Sequence, residues 1–254
     1  MNKFIITSIL VVLISSALAS PIKNLEEQKH KEMDPKTKAL LTKIHGVFFI
    51  VAWFFFVVNG VNYLRYYKPM FDDKSLFGQK VWFNIHRIFN FIAVGLMIIG
   101  TIVIFIAHEF RWTGPRVGGG SYNSNGKALH ALFGILAVGL AVVQVVNSFL
   151  RCAPGDKNSL RYIFNWSHRI LGIASLLLAV ATISLAAKFF GNHFVPNSAP
   201  LTVLYVFYGF FIGCIFVNEL STRYQYHNLL MTSLVTFIIA SLVTVTWITA
   251  LIVQ

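Results

Sequence analysis

The chain has 254 residues, 56% hydrophobic, 15% aromatic and 12% charged, with a formal net charge of +12. A soluble domain carries about a quarter charged residues, whereas here the apolar residues fall in six nearly uncharged runs, each of the roughly 20 residues that cross a bilayer as a helix. The 21 basic residues sit between and at the edges of these runs rather than on one soluble face, which excludes a nucleic-acid binder.

Residues 1–20 read as a secretory signal: Lys3, the apolar stretch Phe4–Ile14, and the small-x-small site Ala17-Leu18-Ala19 before Ser20-Pro21. The competing reading is an uncleaved first membrane helix. Residues 21–42 are polar and lysine-rich and read as a short, flexible extracytoplasmic tail. Six spans follow, at about 43–66, 79–107, 127–150, 161–190, 200–219 and 228–252. They must be helices, because backbone groups in lipid need internal partners and no alternating barrel pattern is present. The fold class is therefore all-α, a six-helix transmembrane bundle.

With the signal removed, the mature N-terminus lies outside, and the loops at 67–78, 151–160 and 220–227 are cytoplasmic. Arg65, Lys68, Lys74, Lys80, Arg151, Lys157, Arg161 and Arg223 then lie inside, against Arg111, Arg116, Lys127 and Lys188 outside. The lysines of the tail oppose this count, so the orientation rests mainly on the signal. Cys152 and Cys214 are too few for a disulfide framework or a thiolate metal site, and neither stands in the CxxCH motif of a covalent c-type haem.

Histidine carries the functional signal. His45, His86, His130 and His168 fall one apiece near the N-terminal ends of the first four spans. Ionisable groups inside a membrane helix are costly and point to function. Consecutive spans run in opposite directions, which brings His45 and His130 together near the outer face and His86 and His168 together near the cytoplasmic face. Two histidines facing each other across a bundle can ligate a haem iron axially. The pattern predicts two bis-histidine haems, with irons separated by roughly 20 Å in depth and with Phe48, Phe49, Phe89 and Phe133 among the residues lining the gap.

Gly134 and Gly172 follow His130 and His168 by four residues and would admit a flat macrocycle. Gly46, Ala52 and Ala93 are further small neighbours, although small residues also simply pack membrane helices together. Lys43, Arg87, Lys127 and Arg169 lie beside the four histidines as candidate propionate partners; snorkelling at the interface explains the same cations. Two-haem ferric reductases of the NADPH-oxidase type place two histidines on one helix about four turns apart, and no span here does so.

These stretches resemble the cytochrome b561 family, in particular the b561 domains of ferric-chelate reductases and DOMON-linked proteins. The likeness is carried by His45-Gly46 through Ala52-Trp53 to Arg65-Tyr66, and by Trp82-Phe83-Asn84-Ile85-His86. It continues in His130 through Gly134 and Gln144 to Leu150-Arg151, and in Asn165-Trp166-Ser167-His168-Arg169 with Leu171-Gly172. The resemblance implies two haem b groups on the four histidines, a homodimer, and electron flow from cytoplasmic ascorbate to monodehydroascorbate or a ferric chelate. It also implies an integral membrane protein of the secretory pathway, in the plasma membrane or an endosomal or vesicle membrane.

Substrate candidates are Lys80, Arg87, Arg151 and Arg161 for an anionic cytoplasmic donor, and His108, Glu109 and His193 for a metal chelate outside. Two other readings remain open at this point. One is a haem-binding anchor subunit of a redox complex; the other is a haem-free seven-span receptor or transporter that retains its signal.

Overall fold

The computed structural model describes residues 33–149, 159–191 and 199–254. The signal at 1–20, most of the tail, Arg151 and His193 lie outside the described residues. Six helices among those described are long and apolar enough to cross a membrane: α1 (Pro35–Tyr66), α2 (Val81–Ala107), α3 (Gly126–Ser148), α4 (Ser159–Phe189), α5 (Ala199–Arg223) and α6 (His227–Val253).

Helix α1 begins eight residues earlier than the apolar pattern alone suggests, so residues 35–42 are helix rather than flexible tail. Pro35 supplies a preset φ at the first helical position. The Lys-Ala-Leu-Leu stretch behind it is made of strong helix formers, and hydropathy does not register such a polar first turn. Midway along, Ala52–Val57 forms a π-helical turn, a feature frequent at functional sites. Asn59 Nδ2 donates to the Phe55 carbonyl at 2.7 Å beside it.

Between α1 and α2 the chain forms a small hairpin, β1 (Ser75–Leu76) against β2 (Gln79–Lys80), with Ser75 opposite Lys80 and Leu76 opposite Gln79. Its two turn residues, Phe77 (φ 52) and Gly78 (φ 71), are both left-handed, as a primed two-residue turn requires. The phenylalanine at the first of these hid the turn from a sequence reading. Asn84, 1% exposed, fastens the hairpin by donating through Nδ2 to the Leu76 and Gln79 carbonyls.

The helices alternate in direction, with α1 against α2 and α6, α3 against α4, and α5 against α6. Lys43 Nζ donates to the Val253 carbonyl (2.9 Å) at one end of α1. At the other end Arg65 pairs with Glu219 (2.8 Å), which also accepts from Tyr66 Oη (3.0 Å). The interior is aromatic and aliphatic, built around Trp53, Phe54, Met97, Leu204, Phe207 and Phe237. Ser175 Oγ donates to the Ala137 carbonyl of α3 at 2.7 Å, as most buried hydroxyls find a partner. Ile99, Ile102, Leu177, Ile212, Phe216 and Val243 point outward, an apolar exterior suited to lipid.

Candidate haem-binding sites

The alternating helices bring the four histidines together in two pairs, one towards each end of the bundle. His45 (α1) and His130 (α3) have ring centroids 6.3 Å apart with planes at 77°. His86 (α2) and His168 (α4) are also 6.3 Å apart, at 73°. A metal–imidazole bond is about 2.0–2.1 Å, and a five-membered ring with bonds of about 1.33 Å puts each nitrogen about 1.1 Å from its centre. Two imidazoles on opposite sides of one metal ion therefore have centroids about 6.3 Å apart, and both pairs stand at that separation.

Three of the four rings are anchored through Nδ1. His45 Nδ1 donates to the Gly100 carbonyl at 3.0 Å, His86 Nδ1 to the Gly60 carbonyl at 3.1 Å, and His130 Nδ1 to the Thr182 carbonyl at 3.0 Å. A carbonyl only accepts, so each Nδ1 carries the proton and each Nε2 keeps its lone pair, the arrangement found in metal-ligating histidines. Phe164 stacks on His168 with centroids 5.6 Å apart and planes at 14°. The residues present thus fit two bis-imidazole metal centres. No group of three or more His, Cys, Asp or Glu side chains that could hold a bare metal ion occurs among the described residues.

Two glycines make the close contacts possible. A Cβ on Gly60 would lie 3.0 Å from Asn90 Nδ2 and 3.2 Å from Phe89 Cβ, and one on Gly100 would lie 2.9 Å from the Phe49 ring. Helices α1 and α2 approach closely at both points, and that approach lets each helix present a carbonyl to the other's histidine. The spacing is regular. The accepting carbonyl follows the helix's own histidine by 15 residues in α1 (His45 to Gly60) and by 14 in α2 (His86 to Gly100) and α4 (His168 to Thr182). Fourteen residues are about four turns, so histidine and carbonyl share one face.

At the His45 end a cavity of about 590 Å³ opens between the helices, with His45, His130 and Gly134 on its walls. That volume lies within the roughly 300–1,000 Å³ of small-molecule and cofactor sites. Added at Gly134, a Cβ would meet only Thr182 Cγ2, at 3.5 Å. Lys38, Lys43, Arg111 and Lys127 ring the cavity with positive charge. Of the four cations singled out in the sequence, Lys43 and Lys127 line it; Arg87 is bonded to Asn84 Oδ1 (3.1 Å) and Arg169 lies over the Trp166 ring (5.8 Å). Ala52 and Ala93 are fully buried packing residues, and a Cβ on Gly46 would press Ile252 Cδ1 at 3.3 Å.

The reversal after α2 brings further groups to the cavity rim. Glu109 (φ 53) and Phe110 (φ 57) are both left-handed, a costly conformation for bulky residues. The turn seats His108, Arg111 and Trp112 along the cavity. Burial and the nearby Lys38 charge push the His108 imidazole below its ordinary range. Glu109 is paired with Arg111 at 3.1 Å and does not line the cavity. At the opposite end Lys80 is engaged by the Asp72 carbonyl and carboxylate (3.5 Å to Oδ1), and Arg161 lies in the first turn of α4.

Aromatic side chains follow the histidines along α1 and α2. Phe49 lies 4.7 Å from His45, and Phe89 meets Phe55 and Phe56 of the π turn at 6.0 and 5.4 Å. A reading of residue types alone misses the backbone acceptors, Lys38 and Arg111; the four-turn spacing is the signal that reveals the first group.

The model of the eukaryotic cytochrome b561 family matches residues 35–190, the stretch that contains all four histidines. Ferric-chelate reductase 1 of Homo sapiens is 29% identical over 189 residues, covering 74% of this chain and 29% of that protein. Its namesake from Bos taurus is 33% identical over 157 residues, covering 60% and 24%. A cytochrome b561, DM13 and DOMON domain-containing protein of Arabidopsis thaliana is 26% identical over 176 residues, covering 68% and 17%. The chain spans less than a third of the length of these relatives. No solved structure matches it. The chain belongs to the eukaryotic cytochrome b561 family, is an integral membrane protein by its six apolar helices, and the family implies b-type haem.

Proposed function

We propose that this cytochrome b561 carries electrons across a membrane between two b-type haems, one held by His45 and His130 and the other by His86 and His168. The observation that carries the reading is the matched 6.3 Å spacing of both imidazole pairs. Each bound haem supplies a one-electron ferric/ferrous couple. The protein's own contribution is orientation and insulation. Gly60, Gly100 and Thr182 fix three of the ligand rings through Nδ1. Phe49, Phe55, Phe56 and Phe89 place a run of packed rings along α1 and α2 between their histidines.

The first 20 residues serve as a secretory signal, and residues 21–34 precede the bundle outside the cell or in a vesicle lumen. The His45 end then faces outward and the His86 end faces the cytoplasm. The membrane is the plasma membrane or an endosomal or vesicle membrane, and the protein works as a homodimer. Ascorbate is the cytoplasmic donor, received near Lys80, Arg87, Arg151 and Arg161. The acceptor is an anionic ferric chelate or monodehydroascorbate, drawn to the ring of Lys38, Lys43, Arg111 and Lys127 with His108 at its rim. The names of the human and bovine relatives favour the ferric chelate.

The test is a reduced-minus-oxidised absorption spectrum of the purified protein, with haem per chain from a pyridine haemochrome assay. Two b-type haems reduced by ascorbate support the proposal. Two haems that dithionite reduces and ascorbate does not would move the donor to a partner protein. A colourless protein would refute the electron-transfer reading altogether.

A further inference from the structure

The four ligand helices follow one rule, and one position in it remains to be assigned. In α1, α2 and α4 the residue 14 or 15 places beyond the histidine offers its backbone carbonyl to the ligand of the antiparallel neighbour. In α3 the same step from His130 arrives at Gln144, opposite His168 of α4. Gln144 already reaches that histidine: its Nε2 donates to the His168 backbone carbonyl at 2.5 Å. The other end of the amide, Oε1, is buried and has no hydrogen-bond partner among the described residues. Gly172 keeps the space free, because a Cβ there would stand 3.3 Å from Gln144 Nε2.

The second pair of ligands shows what such an anchor brings within reach. Asn90 also donates to a ligand's carbonyl, that of His86 at 2.7 Å, and its Nδ2 lies only 3.3 Å from His86 Nδ1. An amide held on a helical histidine's carbonyl therefore lies beside that histidine's Nδ1. At His86 the proton goes instead to Gly60. For His168 the four-turn step points to Gln144, whose amide oxygen is an acceptor without a hydrogen-bond partner among the described residues.

We propose that Gln144 is the positioning residue of His168, its Nε2 fixing the α4 backbone and its Oε1 accepting the Nδ1 proton so that Nε2 of the ring faces the iron. This rests on the haem reading above. Three ligands are then oriented by peptide carbonyls, which substitution cannot remove, and one by a side chain. The neutral amide matches the peptide carbonyl in basicity, so the wild-type chain keeps all four imidazoles alike. A carboxylate at position 144 would pull harder on the Nδ1 proton, enrich the ring in electron density and favour the ferric state of that centre alone.

The experiment is a redox titration of the purified full-length protein, followed by haem absorbance, with low-temperature EPR of the oxidised form. The variants are Gln144→Glu and Gln144→Leu, and the component lost in His168→Ala identifies the centre concerned. Gln144→Glu is expected to lower the midpoint of that component by about a tenfold change in its equilibrium constant, about 59 mV for a one-electron couple. One of the two low-spin EPR signals should move with it. Gln144→Leu is expected to weaken haem retention at that centre by about 10–100-fold, the usual cost of losing a partner behind a metal ligand. Two haems with unchanged midpoints and EPR signals in both variants would overturn the assignment while leaving the haem reading intact. So would an equal shift in both components. A wild-type protein without haem would overturn both.

Discussion

Replacing Gly60 by alanine should loosen the haem at the His86 end and spare the other. The new Cβ would stand 3.0 Å from Asn90 Nδ2, 3.2 Å from Phe89 Cβ and 3.6 Å from the His86 carbonyl oxygen. Asn90 has little room to yield, because its amide is held on that same carbonyl at 2.7 Å. Helix α2 must therefore retreat by a few tenths of an ångström, which lengthens the 3.1 Å bond from His86 Nδ1 to the Gly60 carbonyl. Losing that bond costs about 0.5–1.5 kcal/mol net, and overpacking a filled interior adds about 1–3 kcal/mol. A haem affinity reduced about 10–100-fold corresponds to about 1.4–2.8 kcal/mol and lies within that sum.

Gly100→Ala is the mirror experiment. Its Cβ would strike the Phe49 ring at 2.9 and 3.1 Å, the ring that packs on His45, so the His45 end should suffer instead. Haem loss to excess apomyoglobin, resolved by the EPR signals of the two centres, reads both variants. The reasoning fails if both substitutions release haem from the same centre, or if neither changes the rate of release from either one.

Three further outcomes are expected. His86→Ala or His168→Ala should remove one haem per chain and block reduction by ascorbate, with much of the second haem retained; full reducibility of two haems in either variant would refute the pairing. His108 is held below its usual range by burial and by Lys38, so it is neutral at pH 7 and gains charge only as pH falls through its lowered pKa. Affinity for an anionic ferric chelate, read as KM across pH 4.5–8, should therefore rise towards acid. The step should move to higher pH in Lys38→Gln, where the repelling charge is gone, and vanish in His108→Gln. Asn84→Ala should cost about 1–3 kcal/mol, seen as a lower thermal midpoint in detergent, because Asn84 holds the Leu76 and Gln79 carbonyls of the hairpin; an unchanged midpoint would show that the hairpin does not depend on this side chain.

The parts of this molecule governed by composition and direction are legible without coordinates. Six apolar runs require six helices, and alternation alone pairs His45 with His130 and His86 with His168. What resists such reading depends on backbone. Gly60 and Gly100 look like ordinary packing glycines until their carbonyls are found on the histidines. Lys38 looks like part of a flexible tail because hydropathy ignores a polar first turn, yet it stands at the cavity. The turn at Phe77-Gly78 is hidden because a phenylalanine occupies a left-handed position normally given to Asn, Asp or Gly.

The reciprocal bonds carry a consequence for assembly. Helices α1 and α2 orient each other's histidines, and α3 and α4 are joined at both of theirs, by the His130–Thr182 and Gln144–His168 bonds. Each of these hairpins contributes one ligand to each end of the bundle, so neither can complete a pair alone. In the proposed function either haem would join the two hairpins across their interface, and haem loading would be linked to helix packing. A ligand that binds only the packed form stabilises it by about 2.7 kcal/mol at a hundredfold excess over its Kd. Helices α5 and α6 carry none of the four histidines and are tied to α1 by side-chain contacts at its two ends, Lys43 to Val253 and Arg65 to Glu219. Haem depletion should therefore loosen α1–α4 first. The first gain in proteolysis or hydrogen exchange should appear where α2 meets α3, the weakest of the three contacts between successive ligand helices, while α5–α6 stays protected. Uniform loosening of all six helices would instead mean that the bundle melts as one unit and that the ligand helices have no separate dependence on the cofactor.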